Sequence, residues 1–180
     1  MKNPKISVVI PAYNQSEYLA QAIESVVLQT KTPHEIFVID DGSNDGSANI
    51  ARSYPVTLIQ QANKGLASAR NTGIMNMTGD YFFPLDADDI LLEQCVEKIL
   101  EVQSKTDADI ISPSLKMFGI SNNEVILQPN PTLADFKTGN RIGYFSAIRK
   151  SALLEVGGYS PRMTFGWEDY HLWINLLTKG

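Results

Sequence analysis

Before residue 90 the chain runs three times through a short apolar, β-prone stretch and stops in a polar cluster. Ile6-Ser7-Val8-Val9-Ile10 ends at Pro11-Ala12-Tyr13-Asn14, Glu35-Ile36-Phe37-Val38-Ile39 at Asp40-Asp41-Gly42-Ser43, and Tyr81-Phe82-Phe83-Pro84-Leu85 at Asp86-Ala87-Asp88-Asp89. Segments of helical period lie between them. Leu19, Ala22, Ile23, Val26 and Val27 share one face, and Asn14 with Glu17 has the spacing of a helix-starting capping box. Asp45 to Ser53 reads as a short helix, Val56-Thr57-Leu58-Ile59 as another strand, and Gly65 to Met77 as a helix weakened by Gly73. Leu92 to Lys105 reads as an amphipathic helix and Asp109-Ile110-Ile111-Ser112 as a further strand. This alternation predicts an α/β fold, a mainly parallel central sheet with right-handed crossovers and helices on both faces. Ligands of such sheets bind beyond the carboxyl ends of the strands, so the polar clusters are expected at one rim.

The pattern changes after Ser112. Leu115-Lys116-Met117-Phe118 and Glu124-Val125-Ile126-Leu127 read as a hairpin, and Gln128 to Arg141 as a polar loop. Tyr144-Phe145-Ser146-Ala147-Ile148 reads as a strand and Gly157-Gly158-Tyr159 as a turn. Glu168-Asp169 then opens a helix through Leu172, Trp173, Leu176 and Leu177. A small antiparallel portion is therefore expected in the carboxyl-terminal half. With 180 residues and no evident linker, a single domain spanning 1–180 is expected.

A net charge of −5 gives no basic surface and argues against nucleic acid as a partner. The single cysteine, Cys95, excludes an internal disulfide and a Cys-rich zinc site, and its apolar neighbours suit a buried helix position. His34 and His171 are far apart, so no closely spaced histidine pair exists. No apolar run reaches the length of about twenty residues that a spanning helix needs. Met1-Lys2-Asn3-Pro4-Lys5 leads into the first strand without a leader pattern. A cytoplasmic location is the expectation, with peripheral contact at the cytoplasmic face of a membrane left open.

Asp86, Asp88 and Asp89 repel one another, and a hard divalent cation is a physical reason to gather them. Mg²⁺ or Mn²⁺ prefers oxygen ligands and is often held by one or two carboxylates plus substrate phosphates. The alternative is a polar loop in which Asp88 or Asp89 caps the following helix.

Five segments in order make the chain resemble the family 2 glycosyltransferases, which have the GT-A fold. They are Val8-Val9-Ile10-Pro11-Ala12-Tyr13-Asn14, Val38 to Gly46, Asn63 to Asn71, Leu85-Asp86-Ala87-Asp88-Asp89 and Gly166-Trp167-Glu168-Asp169. The resemblance implies a metal-dependent, inverting transfer of a hexosyl-type sugar from a nucleotide-diphospho-sugar to an acceptor hydroxyl, in cell-surface polysaccharide or glycan synthesis. It divides the domain into a nucleotide-binding half, 1–112, and an acceptor-side half, 113–180. It implies that Pro11, Ala12, Tyr13 and Asn14 line the nucleobase slot, with Tyr13 on the ring or, alternatively, packed at a helix entry. Asp41 would accept the imino hydrogen of a uracil, favouring a UDP-sugar, while Asp40 makes a turn and Asp45 caps a helix. Arg70 would approach the ribose or diphosphate, against the alternative of a surface arginine. Asp86 and Ala87 would lie at the ribose, and Asp88 with Asp86 would hold Mn²⁺ or Mg²⁺. Asp169 would be the general base, with Glu168 beside it for acceptor binding or as the fallback base. Trp167 and Tyr170 would stack on sugars or belong to the core, and Trp173 to the core. Two departures stand out. The chain ends at Gly180, where many relatives continue, which implies a domain shortened at its carboxyl end, and Asn175 stands where relatives often carry a basic residue. A nucleotidyltransferase is the enzymatic rival, but Pro11-Ala12-Tyr13-Asn14 is no Gly-rich triphosphate loop. A catalytically weak nucleotide-sugar-binding module of the same fold is the other.

Overall fold

The computed structural model describes residues 4–163 and 166–179; Met1-Lys2-Asn3 of the leader reading lies outside them. The chain starts with β1 (Ile6–Ala12), α1 (Leu19–Val27), β2 (Glu35–Asp40), α2 (Ser47–Arg52), β3 (Thr57–Gln60), α3 (Leu66–Asn76) and β4 (Tyr81–Pro84). The four strands are parallel in the order β3-β2-β1-β4. β1 is buried along its whole length, as a strand covered on both faces must be. Its alternating side chains divide the core: Ile6, Val8, Ile10 and Ala12 pack with Leu19, Ile23 and Val26 of α1, and Val9 with Ala67, Ala69 and Ile74 of α3.

Two local expectations about this half fail for physical reasons. β1 does not stop at Pro11 but runs through Ala12, with Pro11 opposite Ile39. The Val9 carbonyl accepts from Leu85 N–H, so Pro11, two residues on, faces the side where the β4 ladder has already ended and needs no N–H. Gly73 does not simply weaken α3. A Cβ there would stand 2.4 Å from Val9 Cγ1, so its absence lets the helix lie close on β1.

After β4 come α4 (Cys95–Thr106), β5 (Ile110–Ile111), β6 (Leu115–Lys116), β7 (Glu124–Val125), β8 (Ala147–Arg149), α5 (Lys150–Val156) and α6 (Glu168–Lys179). β8 inserts antiparallel between β4 and β5, giving the six-stranded order β3-β2-β1-β4-β8-β5. β5 thus points along β1 and β4 but pairs with neither. The expected antiparallel portion is present, although the hairpin strands β6 and β7 are shorter than their apolar runs suggested. α5 was not anticipated, and the Gln128–Arg141 loop contains a 3₁₀ turn at Asp135–Thr138 with Phe136 buried. Among the described residues no helix is long and apolar enough to cross a membrane.

Candidate active site

The carboxyl ends of β1, β2 and β3 are tied together before any side chain is considered. Asp41 N–H donates to the Ala12 carbonyl at 2.8 Å, and Gln61 N–H to that of Asp40 at 2.9 Å. Asp41 is buried, and its carboxylate accepts from Gln61 Nε2 at 2.7 Å, Lys64 N–H at 2.9 Å and Gly65 N–H at 2.8 Å. A carboxylate has about four acceptor positions, so roughly one remains for a ligand. Asp40 makes the expected turn, accepting from Ser43 N–H at 3.0 Å.

Asn14 does not cap α1, which begins only at Leu19 after Tyr18, with no side-chain cap. Asn14 adopts a left-handed φ of 52°. Its N–H donates to Ser43 Oγ at 3.0 Å, and its Oδ1 accepts from Asn44 N–H at 2.9 Å. The loop after β1 therefore closes on the loop after β2 instead of starting a helix. Asp45 strengthens that closure, accepting from Ser16 N–H at 2.8 Å and from Ser47 N–H at 3.0 Å. Desolvation opposes its charge, but the Ser47 and Ser16 hydrogen bonds outweigh it and hold the carboxyl well below the usual range. Tyr13 is half exposed beside this loop, with its ring open to a ligand.

Beyond β4 the acids separate by environment. Asp86 is half-buried, and its Oδ1 accepts from Arg70 Nη2 at 2.7 Å. Ala87 is buried, whereas Asp88 is exposed. Asp89 caps no helix, since α4 starts at Cys95; its Oδ2 accepts from Tyr144 Oη at 2.7 Å. Burial raises the Asp89 pKa, the Tyr144 bond offsets part of this, and repulsion from Asp86 and Asp88 adds to it.

Arg70 is no surface arginine. It is 1% exposed, and its Nη1 donates to Glu168 Oε1 at 2.7 Å while Nη2 holds Asp86. Burial works against its charge, but Asp86 and Glu168 more than reverse that, so the guanidinium stays protonated. This one side chain joins α3, the end of β4 and the start of α6. Asp169, next to Glu168, is partly exposed and accepts from Asn140 Nδ2 at 2.8 Å. Trp167 is exposed at a φ of 66°, its ring meeting that of Tyr170 edge-on at 5.7 Å. Tyr170 donates its hydroxyl to the Phe136 carbonyl, and Trp173 is fully buried in the core as expected.

Asp86, Arg70 and Glu168 are thus in direct contact. Tyr13, Asn14 and Asp41 occupy the neighbouring stretch of the rim without bonding to them. Asn71, Tyr159, Tyr144 and Asn140 were missed as site-shaping residues. Asn71 stood inside a quoted motif, but its partner Tyr159 is far along the chain and only the folded contact reveals it.

Among the described residues no group of three or more His, Cys, Asp or Glu side chains is arranged to enclose a metal ion. The donors present nevertheless suit an open site. Asp88 is exposed, and Asp86 Oδ2 accepts no hydrogen bond among the described residues. Carboxylate oxygens of this kind fit a hard divalent ion that completes its shell with water and phosphate oxygens.

Comparison with known proteins decides the family. The family model described as glycosyl transferase family 2 matches residues 7–171. The chain belongs to that family. Glycosyltransferase GlyG of Streptococcus pneumoniae is 38% identical over 112 residues, 59% of this family 2 chain and 37% of GlyG. An uncharacterized glycosyltransferase of Rickettsia felis is 39% identical over an alignment of 190 positions, covering 97% of this chain and 31% of that protein. The chain therefore spans about a third of the length of these relatives. Staphylococcus aureus TarS, residues 1–349, superposes with a TM-score of 0.80 at 21% identity, over 96% of this chain and 55% of that one. Mannosyltransferase PcManGT from Pyrobaculum calidifontis, in complex with GDP-Man and Mn²⁺, superposes at 0.76 with 19% identity, over 100% of this chain and 54% of that one. At these identities the superpositions establish the GT-A fold, and the fold alone.

Proposed function

We propose that this family 2 chain transfers a sugar, with inversion, from a nucleotide-diphospho-sugar to an acceptor hydroxyl in polysaccharide or glycan synthesis. The observation that carries this is the buried Arg70, which brings the Asp86–Asp88 loop and the Glu168-Asp169 pair to one place at the sheet rim. One end of the site then suits a diphosphate and the other a nucleophile.

In this reading Tyr13 stacks on the nucleobase, framed by Pro11, Ala12 and Asn14. Asp41 spends its remaining acceptor position on a base N–H, which favours UDP. Asp86 and Asp88 would hold Mn²⁺ or Mg²⁺, with Ala87 at the ribose. Bound there, the ion supplies charge neutralisation for the departing nucleoside diphosphate. Asp169 accepts the proton of the acceptor hydroxyl as it attacks, and Asn140 orients that carboxylate. Glu168 is a poorer base because its carboxylate is buried and occupied by Arg70. In this reading the open face of Trp167 receives the acceptor glycan. A cytoplasmic location, with peripheral membrane contact, belongs to this proposal.

Two solved neighbours frame the test: one TarS structure holds UDP-GlcNAc, and PcManGT holds GDP-Man. Titration calorimetry of UDP and GDP, each with and without Mn²⁺, should give tighter binding of UDP and dependence on the ion. A nucleotide-sugar panel read by release of nucleoside diphosphate then identifies the donor. Equal, metal-independent binding of both nucleotides with no release would leave only a binding module.

A further inference from the structure

We propose that Arg70 is a positioning residue: seated on Tyr159 and held by Asp86 and Glu168, it sets the Asp169 carboxylate against the Asp86–Asp88 loop. The inference rests on the transfer reading above and assigns Arg70 a different task from contacting the ribose or diphosphate. Both terminal nitrogens are committed, at 2.7 Å each, to carboxylates from two different elements. Arg70 is 1% exposed, and its Nε is buried without a partner among the described residues. A guanidinium that grips phosphate presents an accessible edge of its fork, whereas this one is buried with both Nη atoms already on carboxylates. A planar fork shared between two carboxylates instead fixes their separation and mutual angle.

The support beneath Arg70 is built from the next residue. Asn71 Nδ2 donates to the Tyr159 carbonyl at 2.7 Å, and Asn71 Oδ1 accepts from Tyr159 N–H at 2.9 Å. Gly158 adopts a φ of 71°, and a Cβ there would lie 2.6 Å from Asn71 Oδ1, so the turn takes this shape only as glycine. The clamp lays the buried Tyr159 ring under Arg70, 5.3 Å from Cζ to the ring centroid. The Tyr159 hydroxyl itself has no partner among the described residues. Asp169 follows Glu168 directly on α6, so where Arg70 fixes Glu168 it also fixes the base.

The test compares Arg70→Lys, Tyr159→Leu and Tyr159→Phe with the unmodified chain. It reads UDP binding with Mn²⁺ by calorimetry, and kcat and KM for UDP release from the best donor of the panel. A lysine keeps the charge but cannot hold both carboxylates in one plane. Arg70→Lys should leave UDP affinity within about threefold and lower kcat about a hundredfold, the loss expected of a displacement near 1 Å. Tyr159→Leu should lower kcat about tenfold with UDP affinity held, and Tyr159→Phe should stay within about twofold of the unmodified chain. An Arg70→Lys protein with intact kcat and tenfold weaker UDP binding would overturn the inference and return Arg70 to the diphosphate. Tyr159→Phe as slow as Tyr159→Leu would overturn the part given to the ring. If the unmodified chain releases nucleotide from no donor, the transfer reading falls and the inference falls with it; a normal unmodified chain beside an unaffected Arg70→Lys removes the inference alone.

Discussion

The two halves of the sheet hold their acids by different means. In the amino-terminal half, β1 pairs with β2 over six positions and with β4 over four, so Asp41 and Asp86 sit on the ends of backbone ladders. In the carboxyl-terminal half, β8 touches β4 and β5 over two pairs each, and the β6–β7 hairpin leaves Phe118, Ile120 and Ile126 exposed. What docks Glu168 and Asp169 is not a ladder but side-chain clamps, Arg70 to Glu168, Asn71 to Tyr159 and Asn140 to Asp169. Main-chain ladders tolerate side-chain change, whereas clamps of single side chains do not. Donor binding should therefore survive changes that stop transfer.

The largest test of that contrast is Asp88→Ala. Asp88 is exposed and makes no hydrogen bond or ion pair among the described residues, so removing it should reduce ion-dependent turnover to background without moving the thermal unfolding midpoint. Full activity in this variant would reject the metal role. Asp169→Asn comes next. It preserves shape and a partner for Asn140, so UDP binding should persist while transfer falls about 10²–10⁴-fold, the range attributed to a general base. Weaker binding with an intact rate at saturation would contradict the base assignment.

Legibility divides along the same line. The parallel half could be read because its strands are continuous apolar runs and each polar cluster follows one directly. Pro11, Gly73 and Asn14 were misread because each answers to a distant partner: the early end of β4, the Val9 side chain and the Ser43-Asn44 backbone. Arg70 was open to two readings because the acids that bury it lie 16 and 98 residues further along the chain. The carboxyl-terminal half was harder, since β6, β7 and β5 are two residues each and give no alternation to follow. α5 went unseen because only Leu153 of its seven residues is buried.

A stability test probes the ladder half directly. Gly73→Ala puts a methyl group against Val9 between α3 and β1, and overpacking of this kind costs about 1–3 kcal/mol. Urea unfolding should show that loss with the denaturant slope unchanged. Ser104→Ala, at an exposed position of α4, is the control and should be nearly neutral. A Gly73→Ala protein as stable as the parent would mean that α3 can slide on β1, and the rigidity assigned to this half would be wrong.

The smallest effect is a pH dependence in the same half. Burial pushes the Cys95 thiol from 9.0 up to about 11. In the unfolded chain the thiol ionises above its ordinary value, whereas in the folded chain it stays protonated for longer. Between these values the folded state binds more protons, so the Cys95 contribution is fully present below pH 9.0 and declines as pH rises toward about 11. Burial also raises the pKa of Tyr81, Tyr144 and Tyr159, and these groups lose stability over a higher range. Subtracting the pH profile of Cys95→Ala from that of the parent removes them and should leave a decline confined to the Cys95 window. A flat difference would mean that solvent reaches the start of α4, and that the helix following the acid-bearing loop is packed less firmly than Val96 and Ile99 imply.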